Sequence, residues 1–539
     1  MSEATGGRGA DPGVVRLYDT TLRDGTQREG LTLTVEDKLL LLRRLDAFGV
    51  TFVEGGWPGS NPKDAEFFAR ARDARLATAT LTAFGATRRA GAPPAHDPNL
   101  AALLEAGTST CTLFGKSSTL HVHEVLRVGL DENLRMIEES VRFLVGEGRR
   151  VVYDAEHFFD GHALDSAYAL ETLRAALAGG AEVLVLCETN GGALPWQVTA
   201  AVEAVRGALD APLGIHAHDD SGCAVANSLA AVRAGVRHVQ GTINGYGERC
   251  GNANLVTLAA NLELKLGLRC VPDGRLTELT ELSRLVAEVA NLAPNEHAPY
   301  VGASAFAHKG GVHVAAMRRS AASYQHVTPE AVGNRSRVVV SELSGRGNVL
   351  SKAEELGVEV AAGAESAVLE HIKEAEARGF SYEGAEASVE LLLRRRRPGW
   401  LPRFEIVDFS ATVGRRAGTE TFAEAVVKVR VGDRTLHTVA DGNGPVSALD
   451  AALRKALEPV YPEVSRIHLA DYKVRILDGA LGTGAVTRVL VTSAAGERSW
   501  STVGASANLI EASLSAVVDG LEYGLAVASD RPAPSLESP

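Results

Sequence analysis

The sequence predicts an α/β protein: a (β/α)8 TIM barrel over residues 14–271, a helical linker region over 272–400 and a C-terminal α+β domain with an internal repeat over 403–528. Three observations carry this reading. Short β-rich runs alternate with amphipathic helical patterns from Val14 onward. Polar residues suited to chemistry gather at the C-terminal ends of those runs, where a barrel of this kind builds its sites. The tail repeats its own pattern.

The strands are expected at Val15–Asp19, Val50–Glu54, Ala77–Ala83, Ser109–Phe114, Arg150–Ala155, Glu182–Leu186, Gly214–His218 and His238–Ile243. Helical patterns such as Val35–Phe48, Asp131–Val145, Ser166–Leu177 and Cys223–Ala234 lie between them. An open doubly wound sheet uses the same alternation. The polar residues favour closure. Arg23, Asp24 and Gln27 follow strand 1, Glu54 ends strand 2, Glu156 follows strand 5, and Glu188, Thr189 and Asn190 follow strand 6. His216 and His218 end strand 7, and Asn244 and Asn252 follow strand 8. Only a closed barrel makes strands 1, 7 and 8 neighbours.

Residues 272–400 read as mostly helical, with a loop at Asn295–Gly311. The run Arg394–Arg397 followed by Pro398, Gly399 and Pro402 marks a boundary, its four arginines reading as a solvated helix end. In the tail, Thr438-Val439, a Gly/Asn/Pro turn and the helix Val446–Leu457 match Thr502-Val503 and Ile510–Leu521, preceded at one offset by Ala425–Val431 and Val489–Val491. This predicts two ββα units, with Pro445 near position N1 of the first helix, where its missing N–H costs nothing. Met1–Gly13 and Ser529–Pro539 read as disordered ends.

The formal net charge of −12 argues against a nucleic-acid or acidic-membrane binder, although a local arginine or a metal still allows an anionic substrate. No apolar run approaches the roughly 18 residues of a membrane span. The five cysteines are odd in number and form no CxxC pair, which argues against a disulfide framework or a cysteine zinc site and fits a reducing, cytoplasmic setting.

The sharpest chemical signal is His216-Ala217-His218. Residues i and i+2 of a strand share a face, so two imidazoles converge at the barrel mouth. Asp24 supplies a carboxylate and Asn252 an amide oxygen. Such a set suits Mn²⁺, Mg²⁺, Co²⁺ or Zn²⁺ and leaves positions for a bidentate 2-oxo acid. A chance pair of exposed histidines is the bland alternative. Arg23 is either a salt-bridged rim arginine or a cation for a substrate carboxylate or oxyanion. Glu156 either pairs with Arg149 or Arg150 or transfers protons. The stretch Gly245–Gly251 is not a dinucleotide loop; its glycines let the backbone turn tightly near the metal.

The segments Asp19–Gln27, His216–Asp219 and Gly241–Asn252 resemble the signatures of the DRE-TIM metallolyases, in the branch of 2-isopropylmalate, homocitrate and citramalate synthases. Glu54–Lys63, Tyr153–Gly161, Cys187–Gly192 and Ala307–His313 look like the citramalate-forming subgroup. Isopropylmalate synthases carry a Phe-Ser-x-Glu-Asp type segment where this chain has Tyr153-Asp-Ala-Glu-His157.

The resemblance implies a Claisen condensation of acetyl-CoA with pyruvate, then hydrolysis to citramalate, on a route to isoleucine. It implies Arg23, Glu156, His313 and Tyr324 as catalytic residues, with Arg23, Gln27 and Thr189 binding the 2-oxo acid. A divalent metal would be held by Asp24, His216, His218 and Asn252. From spacing alone His313 and Tyr324 read as core residues; the resemblance instead places their segment over the barrel of a second subunit, in an obligate homodimer. The tail resembles a regulatory domain whose expected effector is isoleucine. The alternatives are a 2-isopropylmalate synthase using 2-oxoisovalerate, a metal-dependent aldolase or lyase working without CoA, and a non-catalytic amino-acid sensor.

Overall fold

Short runs buried on both faces give the first unit its strands: the outward side chains pack on helices and the inward ones fill a barrel. The computed structural model describes residues 13–358, 363–397, 399–415, 420–496 and 498–529. Most of both predicted disordered ends, and Pro398 of the predicted boundary, lie outside the described residues. The strands are β1 (Arg16–Asp19), β2 (Phe52–Gly56), β3 (Thr80–Ala86), β4 (Thr110–Lys116), β5 (Arg150–Glu156), β6 (Val183–Glu188), β7 (Leu213–Ala217) and β8 (His238–Gly241). They close in that order, and β8 returns to β1 with Arg16 opposite His238 and Asp19 opposite Gly241. The closed parallel barrel bears out the predicted class and rules out the open sheet.

Leu17, Val53, Leu113, Val151 and Leu184 face outward onto Leu39, Leu42 and other helix residues in one continuous core. Val152, Val183, Val185 and Cys187 form a small cluster of their own. The helix Val35–Phe48 starts at a capping box, Thr34 accepting from the Asp37 amide and Asp37 from the Thr34 amide, and it stops at Gly49.

Most strand ends shift by one to three residues from expectation, and three of the shifts have a visible cause. Residues 77–79 are not strand, because their amides donate to the Asp46 carboxylate at 2.7–2.9 Å in place of a neighbouring strand. Strand β7 ends at Ala217, so His218 lies one residue beyond it, held by an antiparallel bridge to Asn252. Strand β8 ends at Gly241, and Ile243–Gly245 form a 3-10 turn with Asn244 at φ 63°.

Packing divides the chain into two compact units, Met1–Phe306 with Val327–Ser336, and Ala307–His326 with Arg337–Pro539. The second unit holds the short pair β9 (Ala307–His308) and β10 (Arg337–Val338), then helices including Arg346–Glu355, Ala364–Ala377 and Glu386–Arg394. The arginine run at the end of the last helix is not wholly solvated. Arg394 is buried against Glu390, and Arg395 pairs with Asp519 at 2.6 Å and with Glu522.

The tail repeat is present, but each copy is βββα. The first is β11 (Glu405–Arg415), β12 (Thr421–Val431), β13 (Arg434–Gly442) and the helix Pro445–Leu457. The second is β14 (His468–Ile476), β15 (Thr487–Ala495), β16 (Arg498–Ser506) and the helix Leu509–Ser529. The unexpected strands β11 and β14 are edge strands with mostly exposed side chains, so they lack the hydrophobic alternation that betrays a strand. The symmetry reaches single hydrogen bonds: Thr438 Oγ1 donates to Ala452 O, and Thr502 Oγ1 to Ala516 O, both at 2.7 Å. Pro445 opens its helix as expected. Among the described residues no helix is long and apolar enough to cross a membrane, and the five cysteines are unbridged.

Candidate metal centre and active site

The loop after β1 is held by its own sequence. Asp19 accepts from the Thr21 amide and hydroxyl, the Thr21 hydroxyl accepts from the Ile243 amide, and Thr20 Oγ1 donates to Gly241 O. These bonds tie the loop to the end of β8 and deliver Arg23 and Asp24 to the barrel mouth.

There Asp24 meets the two histidines. Its Oδ2 lies 3.3 Å from His216 Nε2 and 4.0 Å from His218 Nε2, and the two Nε2 atoms are 3.2 Å apart. All three side chains are buried, and no other group of three His, Cys, Asp or Glu donors converges like this among the described residues. Burial opposes ionisation of Asp24, yet the Arg23 guanidinium and the His216 bond hold its carboxyl well below the usual range. The imidazoles diverge. Burial and the neighbouring His216 push His218 down to about 4; for His216 burial also pulls down, but the Asp24 bond and charge win and raise it.

The donors fit a divalent ion. The two imidazole Nε2 atoms and Asp24 Oδ2 converge, and Asn252 Oδ1 is buried with no hydrogen-bond partner, which is rare for a buried polar atom. Asn252 donates its Nδ2 to Tyr246 O at 3.2 Å, which leaves the oxygen as the free end of the amide. The glycines beside it are required by space. A Cβ on Gly247 would fall 2.1 Å from Asn252 Nδ2, and Gly251 has φ 103° with a Cβ position 2.1 Å from Gly245 O. His216 Nδ1 lies 3.0 Å from Gln240 Oε1, leaving Nε2 as the nitrogen that faces Asp24.

A cavity of about 190 Å³ opens beside this cluster. It brings together Arg23, Asp24, Gln27, Glu156, Thr189, His216 and His218, all singled out in the sequence. Asn252 lines the neighbouring cavity instead. Arg23 donates Nε to Glu54 Oε1 at 2.5 Å, lies 3.6 Å from Asp24 and stacks 3.9 Å over the Phe84 ring. Burial disfavours its charge, but Glu54 and Asp24 hold the guanidinium protonated. Glu54 is fully buried and also accepts from Tyr18 at 2.6 Å. Glu156 pairs with Lys116 across β4 and β5, not with Arg149 or Arg150. Arg149 instead reaches Thr108 O, and Arg150 is held by Glu182. Thr189 Oγ1 accepts from the His157 amide at 2.9 Å.

Sequence reasoning missed four kinds of wall residue. Phe84 and Phe114 stack at 5.1 Å, and Trp57 meets both edge-on. Asp154 and Cys187 line the inner wall, and Glu248 the rim. Period-2 alternation could have found Asp154, which lies two residues before Glu156 and so on the same face of β5. Burial and the charge of Glu54 raise its carboxyl to about 7.

His313 and Tyr324 belong to the second unit. Their rings stack at 4.2 Å, and both are exposed, Tyr324 by 45%. The bland reading of a core histidine and a core tyrosine is therefore wrong.

Comparison with known proteins gives three matched regions. Residues 14–286 match the HMGL-like family, 300–379 the homocitrate synthase post-HMGL domain-like family, and 383–525 the LeuA allosteric (dimerisation) domain. The chain is 52% identical to an (R)-citramalate synthase of Synechocystis sp., over 94% of this chain and 96% of that one. It is 50% identical to an (R)-citramalate synthase of Geobacter sulfurreducens, over 95% and 98%. A probable 2-isopropylmalate synthase of Methanopyrus kandleri is 32% identical, over 95% and 98%.

Proposed function

This chain belongs to the HMGL-like family, in its (R)-citramalate synthase branch, and we propose that it condenses acetyl-CoA with pyruvate and hydrolyses the thioester to give (R)-citramalate and CoA. It is an acyltransferase. The observation that carries the assignment to this site is the convergence of Asp24, His216 and His218 beside Arg23 in one small cavity.

Asp24, His216 and His218, with Asn252, would hold a divalent ion of the Mn²⁺, Mg²⁺, Co²⁺ or Zn²⁺ group, which when bound polarises the 2-oxo acid's carbonyl. Arg23 is fixed by Glu54 and Phe84, so its remaining N–H groups point at the substrate without reorganising as charge develops. Gln27 and the Thr189 hydroxyl place the pyruvate carboxylate. Trp57, Phe84 and Phe114 give the methyl group an apolar wall. In the first step a base takes a methyl proton from acetyl-CoA. The resulting carbanion forms the C–C bond to the keto carbon of pyruvate, and the new alkoxide takes a proton. Water then replaces CoA at the thioester. Glu156, facing Lys116, and His313 are the acid–base candidates, with Tyr324 beside His313.

His313 and Tyr324 are exposed on the second unit, and the tail is a LeuA allosteric (dimerisation) domain. Both support a homodimer in which this segment serves the partner's barrel, and the domain match supports a tail that binds an effector, for which isoleucine is the candidate.

Thiol release from acetyl-CoA with a panel of 2-oxo acids tests the reading. Pyruvate should give the highest kcat/KM, and added isoleucine should lower the rate. A preference for 2-oxoisovalerate would replace the reading with a 2-isopropylmalate synthase. Turnover of citramalate without CoA would replace it with a lyase.

A further inference from the structure

Behind the histidine pair runs a chain of hydrogen bonds that the reaction itself does not use. His216 Nδ1 is 3.0 Å from Gln240 Oε1, and Gln240 Nε2 donates to Asp154 Oδ1 at 2.9 Å. All three side chains are inside the barrel, His216 6% exposed, Gln240 0% and Asp154 4%. Their placement follows from strand pairing. Asp154 on β5, His216 on β7 and Gln240 on β8 each fall on an inward position, so no loop has to adjust to bring them together.

A glutamine amide has two ends, and its direction matters here. With the oxygen toward His216, Nδ1 must carry a proton, and in the neutral ring Nε2 is the nitrogen with a lone pair for a metal. With the amide turned over, its NH2 would face Nδ1, the proton would move to Nε2, and the ligand atom would be blocked. Nothing in His216 or Gln240 alone prefers one direction. A carboxylate only accepts, so it binds the NH2 end and excludes the turned-over amide.

We propose that Asp154 is a positioning residue which, through Gln240, keeps a proton on Nδ1 of His216, so that Nε2, the nitrogen facing Asp24, is the one that gives up its proton to bind a metal. The proposal rests on reading Asp24, His216 and His218 as metal ligands. It assigns roles to two side chains, one of which, Gln240, does not reach the substrate cavity. It also gives a purpose to a carboxylate buried in the barrel wall.

The test is calorimetric titration of Mn²⁺ into the metal-free, full-length protein, on the alkaline side of neutrality, where Asp154 is ionised. Gln240→Leu should weaken binding about 10–100-fold, the usual cost of losing a partner behind a ligand. Asp154→Ala should weaken it in the same direction. The exchange Asp154→Asn with Gln240→Glu keeps the volume and the logic: the amide now donates to a carboxylate, which accepts from His216 Nδ1. It should bind within a few-fold of wild type, whereas Gln240→Leu does not. Unchanged affinity in folded Gln240→Leu, or an exchanged pair no tighter than Gln240→Leu, overturns the proposal. Mn²⁺ binding that survives in folded His216→Ala overturns the ligand reading beneath it.

Discussion

Arg23 lies with its Nε 2.5 Å from Glu54 Oε1, a charge pair closed inside the barrel with Glu54 fully buried. Removing one partner leaves the other charge without compensation. Arg23→Ala should cost about 3–5 kcal/mol of stability in urea denaturation, and adding Glu54→Ala should return part of it. In the thiol-release assay kcat should fall about 10²–10³-fold, as for loss of one oxyanion donor. Arg23→Lys should not restore it, because an ammonium cannot bind Glu54 and the substrate in the same planar fork. Activity near wild type in Arg23→Lys would show that only charge matters.

The metal centre predicts a thermal shift. An ion that binds only the folded chain adds about 2.7 kcal/mol at a hundred times its Kd, so adding Mn²⁺ to the chelated protein should raise Tm. His216→Ala and His218→Ala should keep the circular dichroism of the parent, lose the shift and lose turnover. A full shift in either variant removes that histidine from the ligand set.

Composite sites predict complementation. Arg23→Ala and His313→Ala subunits are each inactive if both residues serve one reaction. Mixed under conditions of demonstrated subunit exchange, they should regain activity through heterodimers carrying one intact site. Exchange without recovery would place both residues in the same subunit's site.

His238 predicts acid sensitivity. It sits between Tyr18 and Phe52, fully buried, with neither ring nitrogen hydrogen-bonded, and burial pushes it down to about 3. The unfolded chain takes up a proton below about pH 6.5 while the folded chain does not, so stability falls as pH drops through that window towards 3. Between neutrality and pH ~5 the parent should lose about 2 kcal/mol relative to His238→Phe by denaturant titration, while the raised Asp154 carboxyl acts in the opposite sense in both proteins. His238→Phe keeps a ring in the same space and should flatten this slope. An equal slope in the variant would trace acid sensitivity to other groups.

The alternation of eight apolar runs with helices was legible in the chain because burial on both faces of a barrel strand leaves a trace, a short, nearly continuous apolar run. The sites at strand ends were legible for the same reason: His216, Asp24 and Glu156 interrupt that trace. The edge strands β11 and β14 left none, since exposed strands need not alternate. The wrong partners assigned to Glu156 came from reading neighbours in sequence. Its partner Lys116 is forty residues away and is brought opposite by strand register.

By itself, then, the sequence determined the barrel, the repeat in the tail and the residue types of a metal site, because these are properties of local pattern and motif. Only the tertiary structure decided which side chains meet. It set Glu54 under Arg23, left Asn252 Oδ1 without a partner, and placed Gln240 and Asp154 behind His216. The physical reason is that closing a barrel faces residues from strands far apart in the chain across a few ångströms of low-dielectric interior. There each buried polar atom must find its partner, and no local pattern names it.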